Sequence, residues 1–217
     1  MINKKLFIFD LDGTLVDAYG AIEKSLNFSR HSLGLNPISL TKVRRNVGYG
    51  DKHFIGLFFH SKDIVKALEI YRAHHKDAIC KYSKLKPNAR NLLYNLKRKK
   101  KKIAIASNRP KKLTDLLLDK LQIRKYFDVI YCGDEIGSLK PDPKILNDVL
   151  KYFNLDKTDA VYVGDMDIDM ETAKRARIDA VFVKGGSSLL SEVKKYKDKL
   201  IVKDLSELLQ LFKRIII

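Results

Sequence analysis

The chain has 217 residues, of which 45% are hydrophobic, and this length fits one large domain or one domain with a smaller insert. No apolar run approaches the roughly eighteen residues of a membrane span, and the N-terminus lacks the pattern of a signal peptide, so we expect a cytoplasmic protein with no membrane partner. The formal net charge is +17, and lysine is abundant throughout the chain. The densest basic run, residues 97–102, has neither interleaved aromatic residues nor a recognition motif. This pattern argues against a nucleic-acid partner and favours electrostatic steering of anionic substrates.

Short apolar segments, several rich in β-branched residues, alternate with segments of helical periodicity. Strands that are apolar on both faces suit a parallel sheet covered on both sides by helices. The alternation therefore predicts an α/β fold, doubly wound (Rossmann-like) around a mostly parallel sheet. In chain order, the predicted strands are 5–9, 102–107, 128–132, 160–164 and 179–183, with a sixth candidate at 199–202, and the predicted helices are 87–99, 111–121, 143–153, 169–177 and 204–214.

Residues 18–85 interrupt this alternation. They contain no good strand pattern and are filled by helical patterns, which glycine and proline residues separate. We therefore predict a helical domain, residues 18–85, inserted after the first strand of an α/β core domain that consists of residues 1–17 and 86–217.

Polar side chains follow four of the predicted strands at the point where each strand ends. Ligands of an open α/β sheet bind beyond the C-terminal ends of its strands, so these side chains are expected to meet at one edge. They are Asp10 and Asp12 after the first strand, Ser107 and Asn108 after the second, Lys140 in the segment after the third, and Asp165, Asp167 and Asp169 after the fourth.

Each of these residue types has a chemical use at such an edge. Converging carboxylates would repel one another unless a hard cation joined them, and oxygen-only ligation suits Mg²⁺. A lysine and a hydroxyl donor would stabilise the charged oxygens of a phosphoryl group. One aspartate could attack phosphorus, and a second could give a proton to the leaving oxygen and later take one from water. Gly13 permits a tight turn and close backbone approach after the first strand.

Four segments resemble the motifs of the haloacid dehalogenase (HAD) superfamily, in order and over nearly the whole chain. They are DLDGTLVD (residues 10–17), SN (107–108), KPDP (140–143) and GDMDIDM (164–170). The helical insert resembles the C1-type cap of that superfamily, and residues 18–85 are called the cap segment below. The phosphoglycolate-phosphatase-like branch is the most similar one.

The resemblance implies a role for each matching residue. Asp10 matches the nucleophile and a metal ligand, and Asp12 matches the general acid/base, whose backbone carbonyl binds Mg²⁺. Lys140 matches the lysine that holds nucleophile and phosphate. The implied phosphate-binding residues are Gly13, Thr14, Ser107, Asn108 and Lys140, and the implied metal ligands are Asp10, Asp12, Asp165 and Asp169, whereas Asp167 falls between the acidic positions of the motif.

The residues also discriminate among activities within the superfamily. Dehalogenases lack the second aspartate and phosphonoacetaldehyde hydrolases replace it by alanine, so Asp12 argues against both. β-Phosphoglucomutases keep it but usually carry Glu-Asp where this chain has Gly164 and Asp165, which favours a phosphatase and leaves a mutase open. We expect a Mg²⁺-dependent phosphatase acting on a small phosphorylated metabolite, such as phosphoglycolate, a sugar phosphate or a nucleotide. A non-catalytic binding protein on the same scaffold is a third possibility, and monomer and homodimer are both open.

Four further features have plain structural interpretations. Asp17 is expected to cap the first helix or hold a hinge, and His74 and His75 to form a packed or solvated pair without a ligand role. The loop at residues 45–53 is the best candidate for a substrate contact from the cap segment. There Arg45 or Lys52 could meet an anionic group, or the loop could be ordinary surface.

Overall fold

The computed structural model describes residues 3–197 and 199–214. Within these ranges the strands are β1 (Leu6–Phe9), β2 (Val16–Asp17), β3 (Lys84–Leu85), β4 (Lys102–Ser107), β5 (Val129–Cys132), β6 (Ala160–Gly164), β7 (Asp179–Val183) and β8 (Lys199–Val202). The helices are α1 (Tyr19–Ser32), α2 (Leu40–Arg45), α3 (Asp51–Gly56), α4 (Ile64–Tyr82), α5 (Ala89–Arg98), α6 (Lys111–Lys120), α7 (Gly133–Ile136), α8 (Lys144–Phe153), α9 (Asp167–Ala176), α10 (Leu190–Val193) and α11 (Leu205–Arg214).

Six of the strands form one parallel sheet in the order β5-β4-β1-β6-β7-β8, which confirms the predicted fold class. The central strand is β1, in which Phe7 pairs with Ile103 of β4 on one side and with Val161 of β6 on the other. The chain winds outward from β1 in one direction and then returns to continue in the other. The C-terminal ends of β4, β1 and β6 therefore lie at the point where the winding direction changes, which is where α/β sheets bind ligands.

Alternate residues of β1 face two separate hydrophobic cores. Phe7 and Phe9 belong to the core that also contains buried residues of α5 and α11, whereas Leu6 and Ile8 belong to the core under α8 and α9. A strand that is buried on both faces has no polar position before its end. The first carboxylate, Asp10, therefore appears only where the strand stops.

The cap segment contains helices α1 to α4, of which α1 packs along α4. Its two connections to the sheet form a short antiparallel ribbon, in which Val16 of β2 pairs with Leu85 of β3 and Asp17 pairs with Lys84. The structure thus adds a strand, β3, to a segment in which the sequence predicted none. A two-residue strand is too short to show a periodic pattern.

The predicted helices outside the cap segment agree with α5, α6, α8, α9 and α11 to within about two residues, the usual uncertainty of helix ends. The sixth candidate strand is present as β8. The four-residue helices α7 and α10 were not predicted. Among residues 3–197 and 199–214, no helix has both the length and the apolar character that crossing a membrane requires.

Candidate active site

A buried lysine joins two of the strand-end aspartates. Lys140 Nζ lies 2.7 Å from Asp10 Oδ1 and 2.7 Å from Asp169 Oδ1, and it also donates to the Tyr162 hydroxyl at 3.0 Å. The Lys140 side chain is 3% exposed, so this ammonium has left water entirely. Burying a charge is tolerable only when opposite charge and hydrogen bonds replace the water, and here two carboxylates and a hydroxyl do so.

Asp169 is fixed by the start of helix α9. Its Oδ2 accepts the backbone N–H groups of Asp165 at 3.2 Å and Met166 at 3.0 Å, and the second of these belongs to the N-cap of α9, a donor that a helix N-terminus leaves unpaired. Its other oxygen faces Lys140. Asp169 therefore caps a helix and contributes charge to the site at once. Asp167, by contrast, pairs with Lys195 at 2.9 Å.

Asp165 follows β6 and is held on both oxygens. Thr14 Oγ1 donates to Oδ1 at 2.7 Å, and the Ser187 backbone N–H donates to Oδ2 at 2.8 Å. The Tyr19 hydroxyl, from the first turn of α1, also reaches Oδ2 at 3.2 Å. Donors from three separate segments thus fix this carboxylate, and one of them belongs to the cap segment.

The electrostatics of this cluster show an excess of negative charge. Burial raises the pKa of Asp10 well above its ordinary value, and the charges of Asp169 and Asp165 add to the increase against the opposing effect of Lys140. Burial and the charge of Asp169 raise the pKa of Asp165 to about 6. Burial disfavours the charged form of Lys140, but Asp10 and Asp169 outweigh it and raise its pKa well above the ordinary value.

The carboxylates fit a hard cation. Asp10, Asp165 and Asp169 each offer one oxygen, and these three oxygens lie within 4.8 Å of one another. Oxygen-only donor sets of this kind suit Mg²⁺, Ca²⁺ or Mn²⁺. One ammonium cannot balance three carboxylates, so a divalent cation would relieve the repulsion that adds to the effect of burial on the pKa values of Asp10 and Asp165.

Asp12 has a partner that the motifs did not predict. Arg109 Nε donates to Asp12 Oδ2 at 2.8 Å, and Nη2 donates to Oδ1 at 2.9 Å, which is the paired fork geometry typical of arginine and carboxylate. The Arg109 side chain is buried, with 4% exposed, whereas that of Asp12 is 20% exposed. The remaining contact of this guanidinium is with His75 Nε2 of α4, 3.2 Å from Nη1.

Ser107 is the last residue of β4 and Asn108 follows it, so both lie at the strand end, as the sequence predicted. Asn108 Nδ2 donates to the carbonyl of Gly48 at 2.8 Å, and Asn108 Oδ1 accepts the backbone N–H of Lys140 at 2.8 Å. This amide therefore ties the segment that carries Lys140 to the cap segment. Ser107 Oγ accepts the N–H of Arg109 at 3.2 Å, and a hydroxyl that accepts can still donate.

Gly13 and Thr14 are occupied within the turn after β1. Gly13 has a φ of 85°, a conformation that glycine adopts without strain, and its N–H donates to the Val16 carbonyl at 2.7 Å. The Thr14 hydroxyl donates to Asp165. The Gly13 N–H is therefore used within the turn, and the predicted phosphate contacts of Gly13 and Thr14 stay predictions.

A pocket lies between the strand ends and the cap segment. Its strand-end wall is formed by Asp10, Asp12, Ser107, Asn108, Arg109, Pro110, Leu113, Lys140 and Met166, and its cap wall by Ile22, Val47, Gly48, Gly50, Asp51, Phe54, Tyr71 and His75. The loop at residues 45–53 thus reaches the pocket through Val47, Gly48, Gly50 and Asp51. Neither of the two cations considered for this loop lines the pocket, since Arg45 donates to Ser187 O and pairs with Glu192, while Lys52 is exposed.

Sequence reasoning missed Arg109 and His75. His75 was interpreted as half of a packed pair, and it is indeed buried and stacked on Tyr71, but it also lines the pocket. Asp17 does not cap α1, whose N-cap is Ala18, and lies instead in the ribbon opposite Lys84. The rule that led to Ser107 and Asn108 would have reached Arg109 had it been extended by one residue.

The family model of the haloacid dehalogenase-like hydrolases matches residues 7–183. The chain therefore belongs to this family and is a hydrolase, as the four motifs predicted. Among its curated relatives, the phosphoglycolate phosphatase of Aquifex aeolicus is 33% identical over 172 residues, which cover 79% of this chain and 81% of the relative. The phosphoglycolate phosphatase of Colwellia psychrerythraea is 28% identical over 222 residues and 98% of each chain.

Solved structures show the same fold. The crystal structure of a predicted phosphoglycolate phosphatase from Haemophilus somnus superimposes with a TM-score of 0.89 at 22% identity, covering 96% of this chain and 98% of that one. CbbY from Rhodobacter sphaeroides, solved in complex with phosphate, gives a TM-score of 0.80 at 21% identity, covering 94% and 96%. At such identities the likeness concerns the fold alone.

Proposed function

We propose that this chain is a Mg²⁺-dependent phosphatase that hydrolyses a small phosphomonoester through an aspartyl-phosphate on Asp10. The observation that carries the proposal is the contact of Asp10 with the buried Lys140, 2.7 Å apart, in a pocket that Asp12 also lines. This arrangement provides a carboxylate nucleophile, a cation for phosphate oxygens and a separate group for proton transfer. The curated relatives that carry the name phosphoglycolate phosphatase support the same activity.

The residues of this chain would divide the reaction between them. An oxygen of Asp10 attacks phosphorus while the bond from phosphorus to the leaving oxygen breaks, and Asp12 gives that oxygen a proton. Water then attacks the phosphorus of the aspartyl-phosphate, Asp12 accepts a proton from it, and phosphate and free Asp10 result. Lys140 and the Ser107 hydroxyl bind the phosphate oxygens in both steps.

Mg²⁺ would be held by the carboxylates of Asp10, Asp165 and Asp169, with the Asp12 carbonyl as a further ligand. When bound, it would neutralise charge that develops on the phosphate oxygens. We also propose that the chain is divided into two domains, because the residues that react all lie in segments 1–17 and 86–217, outside the cap segment. The cap segment then closes over the substrate and excludes water from the first step.

The pocket favours a small substrate. Its cap wall includes the largely apolar side chains of Ile22, Val47, Phe54 and Tyr71, and Asp10 lines the same pocket. Phosphoglycolate, a short sugar phosphate and a nucleotide remain the substrate classes to compare. A compact phosphate ester fits such walls better than a large one.

A phosphatase screen tests the proposal. Release of inorganic phosphate is measured against a panel of phosphomonoesters with Mg²⁺, for the wild type and for Asp10→Asn, which keeps the shape of the side chain but removes the nucleophile. Asp148→Asn, which removes a carboxylate of an exposed helical pair, serves as the matched control. We expect turnover in the wild type and the control and none in Asp10→Asn.

Three outcomes would contradict the proposal. Substantial hydrolysis by Asp10→Asn would remove the nucleophile assignment, and hydrolysis that resists a chelator would remove the metal. Transfer of phosphate between two positions of a sugar, without release, would favour the mutase that the sequence left open. Absence of any hydrolysis together with salt-sensitive nucleic-acid binding would favour a binding protein.

A further inference from the structure

The Asp12 carboxylate is one end of a hydrogen-bonded network that extends into the cap segment. Arg109 donates to both Asp12 oxygens, at 2.8 and 2.9 Å, and contacts His75 Nε2 at 3.2 Å. His75 Nδ1 lies 2.9 Å from Ser25 Oγ, and Ser25 Oγ donates to the Ala21 carbonyl of α1 at 2.9 Å. The side chains of Arg109, His75 and Ser25 thus connect Asp12 to the cap helices α4 and α1.

The chemistry of arginine fixes the direction of the hydrogen bonds in this network. Arginine has only donors, so His75 Nε2 must accept, and the ring proton must then lie on Nδ1, where it donates to Ser25 Oγ. Burial, followed by the charge of Arg109, lowers the pKa of His75 to about 2, which keeps the imidazole neutral and able to accept. His74 Nδ1 also lies 3.1 Å from Ser25 Oγ, which has a second acceptor position for it, so this hydrogen-bonded network has no conflict between two donors or two acceptors.

We propose that Arg109 is a positioning residue for Asp12, and that His75 is the anchor by which helix α4 holds Arg109 in place. This inference rests on the proposed function, because it concerns the proton transfer assigned to Asp12. The fork occupies one acceptor position on each carboxylate oxygen, and a second position on each stays available for the reacting proton. Asp12 is thereby oriented in the pocket only while α4 lies against Arg109.

The leaving group gives a readout that a merely structural role would not move. An alkyl phosphate needs a proton on its departing oxygen, whereas p-nitrophenyl phosphate releases a stable phenolate without one. Values of kcat/KM report the steps up to phosphoryl transfer, so they isolate the proton that Asp12 gives from the proton that it later accepts. The two probes are p-nitrophenyl phosphate and the fastest alkyl phosphate of the panel described above, with 2-phosphoglycolate included.

Arg109→Met should lower kcat/KM about 100-fold for the alkyl phosphate and less than about fivefold for p-nitrophenyl phosphate. The reason is that general acid catalysis contributes about 10²–10⁴-fold and depends on the geometry of the acid. Asp12→Asn should show the same asymmetry, and the double variant should lose little more than Asp12→Asn alone. Arg109→Lys keeps the charge without the fork and should recover only part of the loss. Arg175→Met, which removes an exposed arginine paired with Glu171, is the matched control and should leave both probes unchanged.

A milder pair of variants covers the case in which Arg109→Met does not fold. His75→Leu removes the acceptor that anchors Arg109 but keeps both Arg109 and Asp12. It should lower the alkyl rate about tenfold with little effect on p-nitrophenyl phosphate. His75→Gln offers an amide oxygen to Arg109 and should restore most of that loss.

Equal losses with both probes in Arg109→Met and His75→Leu would overturn the inference, and a rise in KM alone would show that Arg109 binds substrate instead. These results differ from failure of the proposed function, in which the wild type would hydrolyse neither probe.

Discussion

Replacing Lys140 by methionine should lower the free energy of unfolding, because the carboxylate cluster stays buried without its ammonium. The substitution keeps an unbranched side chain of similar length but removes an ammonium that is 3% exposed and lies 2.7 Å from both Asp10 and Asp169. Breaking a buried ion pair by removing one partner costs about 3–5 kcal/mol, because the other charge stays buried without compensation. The slope of unfolding in urea rises with chain length, so for 217 residues we take about 3 kcal/mol per molar, the upper end of the usual range, and the unfolding midpoint should fall by about 1–2 M.

Lys144→Met is the matched control for this experiment. Lys144 Nζ lies 2.6 Å from Asp148, but its side chain is 51% exposed. An exposed helical pair of this spacing contributes about 0.3–0.5 kcal/mol, so the control should shift the midpoint only slightly. Urea unfolding is followed with a chelator in all samples, which keeps bound cations from replacing the ammonium. Equal midpoint shifts for the two variants would show that burial does not set the strength of the Lys140 pairs.

Two further predictions follow from the same geometry. The pKa of His75 is lowered from 6.5 to about 2 in the folded chain, so below pH 6.5 the unfolded chain binds a proton that the folded chain does not. The free energy of unfolding should therefore fall by about 2 kcal/mol between pH 6.5 and pH 5, at 1.36 kcal/mol per pH unit. In urea unfolding, His75→Gln should lose correspondingly less stability over that range. Identical pH profiles for the wild type and the variant would contradict a neutral imidazole. If Asp165 binds Mg²⁺, the cation should raise the Tm of the wild type. A Cβ on Gly186 would overlap the Asp165 carboxylate, so Gly186→Ala should abolish that expected rise, while Gly20→Ala, whose Cβ meets no atom within 4 Å, should retain it. An unchanged Mg²⁺ effect in Gly186→Ala would separate Asp165 from the cation.

The sheet and the strand-end aspartates could be predicted because their pattern is local. Strands buried on both faces are continuous apolar runs, and the carboxylates that follow them stand out by contrast. Asp10 and Asp165 come from neighbouring strands of the central sheet, β1 and β6, so the strand order alone brings them together. The ribbon strands β2 and β3 and the short helices α7 and α10 have too few residues for any periodicity to appear.

Arg109 and His75 could not be recognised in this way, because their environment depends on residues far apart in the chain. The chain has 43 lysine and arginine residues, and nothing in composition distinguishes the one that forms a fork on Asp12, 97 positions away. His75 is buried because α4 packs against α1 and because Tyr71 covers its ring. Packing of the cap segment against the sheet edge therefore decides these contacts, and packing is what a single sequence shows least.

The β2–β3 ribbon also bears on how this architecture can change over evolutionary time. Val16 pairs with Leu85, so the ends of the cap segment lie side by side, and Asp12 itself bridges to Val16. Because closure entropy grows only slowly with loop length, residues can be added to or removed from the segment between these ends at small cost. One contiguous exchange of sequence can thus supply a new pocket wall while the carboxylates beneath it keep their places. The reacting residues can thus be kept while the residues that contact the substrate change, and the boundary between the two sets lies at the Val16–Leu85 pair.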